Sequence, residues 1–411
     1  MKIKITALLL TLCLLFSVFS FTSCVMLEDG IFSGDTGNGG DSINQNVTVE
    51  GGDSYDVTIE NPASSNVVAA SKALLSAVSI VAAFQGQSSG LFGTSASAAR
   101  GSGVIYKLDK ENGEAYILTN HHVVYDAQYG ISKDIDVYLY GQEAQNYELN
   151  ATYVGGSLYY DLAVLRVTGS TVLMSSNAVA ATFANSDKLA VLDTVIAVGN
   201  AEGNGISATV GYVNVDSEYI EMLGADEKTQ ISLRVIRTDA AVNPGNSGGG
   251  LFNTSGEVVG IVNAKSADDS IDNIGFAIPS NVAKSIAENI IYYCDGTNKT
   301  NVYRCLLGIE VTSQNYRTEY DLETGKIYKR EDVAVHSVTA GSIAASVLEV
   351  SDVIRSISVD GNVTEVTRRH HVVDCMLDAR TGSTIVFTLE RDGTEIAVTI
   401  TATSDRLKAY S

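Results

Sequence analysis

The 411-residue chain reads as a mainly β protein of more than one domain. Short runs rich in β-branched and aromatic residues recur along it: Gly103-Val104-Ile105-Tyr106, Ala115–Leu118, Ile135–Leu139, Leu162–Val167 and Thr194–Val198. Gly, Asn and Asp punctuate these runs, which is the pattern of short strands and tight turns in a sandwich or barrel. At roughly 100–200 residues per domain, the length suggests two or three domains with ample buried cores. Helices are fewer. Ser280 to about Tyr293 follows Pro279 and closes the first domain, and another helix falls near Thr367–Leu377. Lys72–Phe84 fits either a short helix or an entry strand, because an apolar run alone does not decide. Asp295-Gly296-Thr297-Asn298 reads as a linker. Arg391-Asp392-Gly393-Thr394 turns Thr384–Leu389 back onto Ile396–Ile400 as a hairpin. No internal repeat is visible.

Charge narrows the classes of function. Asp and Glu number 48 against 27 Lys and Arg, a formal net charge of −21. Phosphate backbones and anionic lipid headgroups both call for a basic face, so nucleic-acid binding and electrostatic membrane docking are disfavoured. Lys2 and Lys4 precede an apolar run from about Ile5 to Phe21, the layout of an export signal. The run ends at Phe21-Thr22-Ser23-Cys24, where small residues before a Cys resemble a lipobox and make Cys24 the lipidation site. An uncleaved membrane anchor is the alternative, since the run is nearly long enough to span. Either way the body lies outside the cytoplasm. Residues 1–23 are thus a signal peptide, and 24–65 a flexible acidic tether rich in Gly, Asp, Asn and Ser. Of the five Cys, Cys294, Cys305 and Cys375 remain in the body, so at most one bridge forms among them. Cys294 and Cys305 could pair, which sequence does not establish. No Cys/His spacing resembles a zinc site, and no cofactor is expected.

Three segments carry candidate chemistry: Thr119-Asn120-His121-His122-Val123-Val124, Tyr160-Asp161-Leu162-Ala163-Val164 and Asn243-Pro244-Gly245-Asn246-Ser247-Gly248-Gly249-Gly250. A Ser hydroxyl is a poor nucleophile and needs a base and a place for the oxyanion. Glycines around Ser247 permit a tight turn that aims the N–H groups of Gly245 and Ser247 at one point, with Asn246 between them. There are only five His in the chain, and His121 or His122 would serve as base near neutral pH. Asp161 would hold the imidazole tautomer, although Asp126, Asp136, Asp193 and Asp239 compete if spacing is the only guide.

Taken together these segments resemble the HtrA/Deg family of chymotrypsin-like serine proteases. Its T-N-x-H-V, D-[IL]-A-[VL] and N-P-G-N-S-G-G motifs all occur, in the order His, Asp, Ser. The G-N-x-x-G turn falls at Gly199–Gly203 and G-F-A-I-P at Gly275–Pro279. By this resemblance His122 is the base, Asp161 orients it and Ser247 attacks. The resemblance implies a double six-stranded β-barrel protease domain over 66–293. Gly250 and Ala201 depart from the residues common at those places, and Phe84–Arg100 falls where the family carries a variable regulatory loop.

The C-terminal part resembles the small α+β PDZ domain of the same family, over 302–404. Arg304-Cys305-Leu306-Leu307-Gly308-Ile309 matches its carboxylate-binding loop, with Arg304 offering charge and the backbone N–H groups capturing a peptide C-terminus. Ala340–Ala345 matches the following helix, without its usual Pro, and Ser351 replaces the usual Gly before Asp352. The resemblance implies an ATP-independent, membrane-tethered endopeptidase acting on unfolded exported proteins, and a trimer. A regulatory protease with one preferred substrate and a non-catalytic, chaperone-like peptide binder are the rival readings. His370 and His371 read as a solvated helix face.

Overall fold

A computed structural model describes residues 43–48, 54–59, 65–85, 96–143, 147–264, 274–293 and 302–410. It divides into two units, Met1–Pro62 and Ala63–Ser411. The signal peptide, Cys24, Cys294, the 295–298 linker and most of the Phe84–Arg100 loop lie outside the described residues. In the first unit Ile43–Thr48 pairs antiparallel with Ser54–Ile59, so the expected flexible tether contains a hairpin. Alternation in Tyr55-Asp56-Val57-Thr58-Ile59 explains it, since β-branched and aromatic residues favour the pleated surface. Among the described residues, no helix is long and apolar enough to cross a membrane.

The second unit opens on a helix, α1 (Ser65–Ser76), and then the first barrel. Its strands are β1 (Ala77–Gln85), β2 (Ala96–Asp109), β3 (Glu114–Thr119), β4 (Asp134–Leu139), β5 (Leu149–Ser157) and β6 (Leu162–Val167). They close in the order β6-β3-β2-β1-β4-β5. Thus Lys72–Phe84, where helix and strand competed, holds both. Val78, Ile80, Ala82 and Phe84 alternate along β1 into the barrel core, the two-residue period of a half-buried strand. A four-residue helix, α2 (His121–Val124), follows β3.

The second barrel comprises β7 (Thr194–Gly199), β8 (Ser207–Leu223), β9 (Gln230–Thr238), β10 (Gly250–Phe252), β11 (Val258–Asn263) and β12 (Gly275–Pro279). It closes in the order β7-β8-β9-β12-β11-β10. The helix α3 (Ser280–Tyr293) then buries Val282, Ala283, Ile286, Ala287 and Ile290 along one stripe. That stripe joins a core shared by Leu118 and Leu162 of the first barrel, Ile196 and Phe252 of the second, and Val302 and Leu377 beyond it. At ~1.5–3 kcal/mol for each large apolar side chain buried, this shared core ties the three parts together.

The C-terminal module begins with β13 (Val302–Cys305) and continues through β14 (Ile309–Tyr320), β15 (Ile327–Val338), β16 (Val353–Val359) and β17 (Asn362–Glu365). Then come α4 (Arg369–Asp374), β18 (Thr384–Arg391), β19 (Thr394–Thr401) and β20 (Leu407–Tyr410). The main sheet runs β14-β15-β16-β18-β19, with β17 on β16. β20 pairs with β13, so the module reaches past residue 404. Ala340–Ala345 forms turns, not the expected helix. Gly341 sits at φ +72, and the Ala344 N–H is drawn away to Leu307 O. The departure at Ser351 is real: it occupies the left-handed region at φ +78, where a glycine would be unstrained.

Candidate active site

Asp161 sits between β5 and β6 at φ +47, a conformation Asp tolerates better than most residues. Its carbonyl accepts from the Asn120 side chain (2.8 Å) and the His121 N–H (3.2 Å), which fastens the end of β3 to the start of β6. Its carboxylate accepts from the His122 N–H at 3.0 Å and from His122 Nδ1 at 2.7 Å. Asn263 at the end of β11 adds a third donor at 2.9 Å. Burial pushes the carboxyl upward, but His122 beside it and these hydrogen bonds prevail, and it is held below the ordinary carboxylate range. Asp161 is therefore a buried, ionised acceptor that fixes the Nδ1–H tautomer of His122.

His121 has a different environment. It is buried, stacked on Tyr125, and its Nδ1 has no hydrogen-bond partner among the described residues. Burial lowers it to about 4, so it stays neutral. Gly156 must be small there, because a Cβ would come within 2.7 Å of His121 Nδ1.

Ser247 lies in the loop before β10. Gly245 has φ +99, and a Cβ there would stand 2.3 Å from Asn200 O, so the loop's approach to the Gly199–Gly203 turn demands glycine. The Asn246 N–H is donated to Asn243 O, so Asn246, between the two expected donors, has no free N–H to offer an oxyanion. The N–H groups of Gly245 and Ser247 carry no hydrogen bond among the described residues and stay available. Ser247 Oγ accepts from the Ala264 N–H at 3.2 Å, and among the described residues no hydrogen bond joins it to His122. Asn263 and Ala264 thus touch the Asp161 carboxylate and the Ser247 hydroxyl from adjacent positions.

Sequence reading missed Ser102. This fully buried residue of β2 donates to Gly245 O (2.7 Å), accepts from the Asn200 N–H (2.7 Å), and bonds Ser247 O through its own N–H (2.8 Å). It anchors the Ser247 loop to the first barrel. The only signal was two glycines flanking a Ser inside a strand.

In the C-terminal module, Leu307 is buried and Leu306 partly exposed, with the Leu306 N–H on Arg406 O. Gly308 has φ +75 against Ser342, and Ile309 starts β14. Arg304 does not face this loop. Its guanidinium donates to the phenols of Tyr160 (3.1 Å) and Tyr410 and lies 4.3 Å from the Tyr410 ring centre. Cys305 is a buried thiol that burial raises to about 11.

His370 and His371 are buried, not a solvated face. Their rings meet edge to face, with centres 4.4 Å apart, where α4 meets the second barrel. Arg234 of β9 pairs there with Asp374 at 2.8 Å, and Arg368 with Asp216 at 2.9 Å. Burial, then Arg234, hold His370 well below the ordinary imidazole range. Asp187, His370 and His371 place ligand-type atoms within 4.8 Å of one another. However, His371 Nδ1 accepts the Thr367 N–H at 3.3 Å, and its Nε2 faces Asp187 at 3.6 Å. With Arg234 alongside, the group reads as a salt-linked junction between modules. The helical period hid this, because the partners come from 130 or more residues away in sequence.

Two closed antiparallel barrels, with His122 and Asp161 on one and Ser247 and Asn263 on the other, define a trypsin-like serine protease fold. A family model described as a trypsin-like peptidase domain matches residues 101–261. The serine protease Do-like HtrA of Bacillus subtilis (strain 168) is 36% identical over 324 residues, a match spanning 75% of this chain and 66% of that protein, just under two thirds of its length. The serine protease Do-like HtrA of Lactococcus lactis subsp. cremoris (strain MG1363) is 34% identical over 303 residues, spanning 71% and 68%. Among solved structures, the HtrA-type protease AlgW with decapeptide aligns with a TM-score of 0.50 at 25% identity, covering 84% of this chain and 98% of that one. The chain belongs to the HtrA family of serine proteases.

Proposed function

We propose that this chain is a membrane-tethered, extracytoplasmic serine endopeptidase that cleaves unfolded or misfolded exported proteins. Its protease part covers 66–293, and 302–404, extended by β20, is a PDZ domain that takes peptide C-termini. The observation that carries the reading is the carboxylate–imidazole pair at 2.7 Å, with Asn263 on the carboxylate and the next residue's N–H on Ser247 Oγ.

In this mechanism Ser247 Oγ leaves the Ala264 N–H and turns to His122 Nε2, a contact that commonly tightens only when substrate is bound. Ser247 attacks the peptide carbonyl and His122 takes its proton. The oxyanion is met by the N–H groups of Gly245 and Ser247, each such donor contributing ~3 kcal/mol to the transition state. His122 returns the proton to the leaving amine, and Asp161 remains ionised throughout. Water repeats the cycle on the acyl-enzyme. The N–H groups of Leu307 and Gly308 have no hydrogen-bond partner among the described residues, which supports a carboxylate nest in that loop. Lys2, Lys4, the apolar run and Cys24 support export and a lipid anchor, and the family resemblance supports a trimer. The test is cleavage of reduced casein by the form lacking residues 1–24, beside Ser247→Ala. Activity in the parent and none in the variant is expected. Equal activity in both would overturn the assignment.

A further inference from the structure

Arg304, Tyr160 and Tyr410 meet where the C-terminal module touches the turn that leads into Asp161. That turn, residues 157–160, joins the end of β5 to the catalytic carboxylate. Both of its ends are tied to the module. Ser157 Oγ accepts the Tyr160 N–H at 3.4 Å and donates its own proton to the carbonyl of Tyr410. The Tyr160 phenol accepts from Arg304 Nη1 at 3.1 Å, and Arg304 Nη2 donates to the Tyr410 phenol. The Tyr410 ring packs edge-on against Tyr159 and tilted on Tyr160, with ring centres 5.9 and 6.1 Å apart. β13 carries Arg304 and β20 carries Tyr410, and the two strands pair as a ribbon outside the main sheet of the module. Pairing within the ribbon does not explain these contacts, since they point at the protease. On the far side of the turn, Leu158 packs where a Cβ on Gly224 would stand, in the β8–β9 hairpin.

We infer that the Arg304–Tyr160–Tyr410 cluster is a positioning device for the reaction. It holds the 157–160 turn so that Asp161 keeps its left-handed backbone and its grip on His122. The C-terminal module then forms part of the catalytic scaffold, besides any role in recognition. This rests on the reading of Asp161, His122 and Ser247 as the catalytic groups. A displacement of a fraction of an ångström at the carboxylate suffices, because small misplacements of a catalytic group lower turnover steeply.

The test compares Tyr160→Phe, Arg304→Met and Arg304→Lys with the parent and Ser247→Ala, on fluorescein-labelled casein and with a fluorophosphonate that labels the nucleophile. Tyr160→Phe removes one oxygen and keeps the ring, so it decides the matter should Arg304→Met fail to fold. Tyr160→Phe and Arg304→Met are expected to lower kcat and the labelling rate together by roughly tenfold, with KM changed by less than about twofold. Arg304→Lys is expected to recover part of the loss. Unchanged kcat and labelling in Tyr160→Phe would overturn the inference, as would a loss confined to KM. If Ser247→Ala still cleaves, the catalytic reading has failed. If Ser247→Ala is inert while Tyr160→Phe matches the parent, only the positioning role has failed.

Discussion

Ser102→Ala deletes a single oxygen from the interior between the two barrels. The main-chain bonds of residue 102 to Ser247 O and from Thr119 Oγ1 survive, so the variant isolates the hydroxyl. Two groups lose their partner: the half-buried carbonyl of Gly245 and the buried N–H of Asn200. At about 1–3 kcal/mol for each orphaned group, the cost is ~2–6 kcal/mol. At ~2–4 °C per kcal/mol, the melting temperature falls by roughly 4–24 °C. The second effect is on chemistry. The peptide unit after Gly245 is no longer fixed, so the Gly245 N–H loses its aim at the oxyanion. Losing one such donor lowers kcat by ~10²-fold, with little change in KM because the interaction forms only in the transition state. Thermal unfolding by circular dichroism and steady-state cleavage of casein read the two effects separately. A variant that melts within about 2 °C of the parent and keeps kcat within about twofold would refute the role assigned to Ser102.

Asn263→Ala removes one donor from the Asp161 carboxylate and is expected to reduce kcat by roughly tenfold while leaving KM near the parent value, checked by initial-rate kinetics. Asp352, buried and bound by Arg391 through both its oxygens, is held below its ordinary 3.8: burial raises it, and Arg391 more than reverses this. A depressed carboxyl contributes stability above the unfolded value and loses it as pH falls through the folded one. Asp352→Asn is therefore destabilised by ~3 kcal/mol at pH 7 in urea unfolding, and the gap to the parent narrows once the pH drops below 3.8. Ser351→Gly relieves a left-handed backbone and raises stability by ~1 kcal/mol, read as a shift of the urea midpoint at constant slope.

Local pattern made the barrel strands and α3 legible. β3, β6 and β7 match their predicted runs within a residue, because alternating β-branched segments between turn residues have few other uses. The β8–β9 hairpin and the long β14–β15 pair went unread. Their residues Ser217–Tyr219 and Tyr316–Tyr320 are polar or exposed on both faces, so no period marks them. At the site, glycine-bounded Ser247 and the His pair announced themselves. Ser102 and Asn263 did not, since a small polar residue in a strand has no local signature until its partner arrives from elsewhere in the chain. Arg304 misled for the same reason: its position in the loop motif is plain, but its direction is set by Tyr160, 144 residues earlier.

The groups proposed to be catalytic are divided between two barrels that close separately, and this sets a clock on the nascent chain. Asp161 and Asn263 are 102 residues apart. At roughly 5–20 residues per second, the first barrel waits ~5–20 s after Asp161 is made before the second can supply its half. During that interval the chain carries an imidazole and a carboxylate but no seated nucleophile. On the proposed mechanism a growing molecule is thus inert toward its own unfolded segments and toward its neighbours, and it acquires cutting power only once most of it has found its fold.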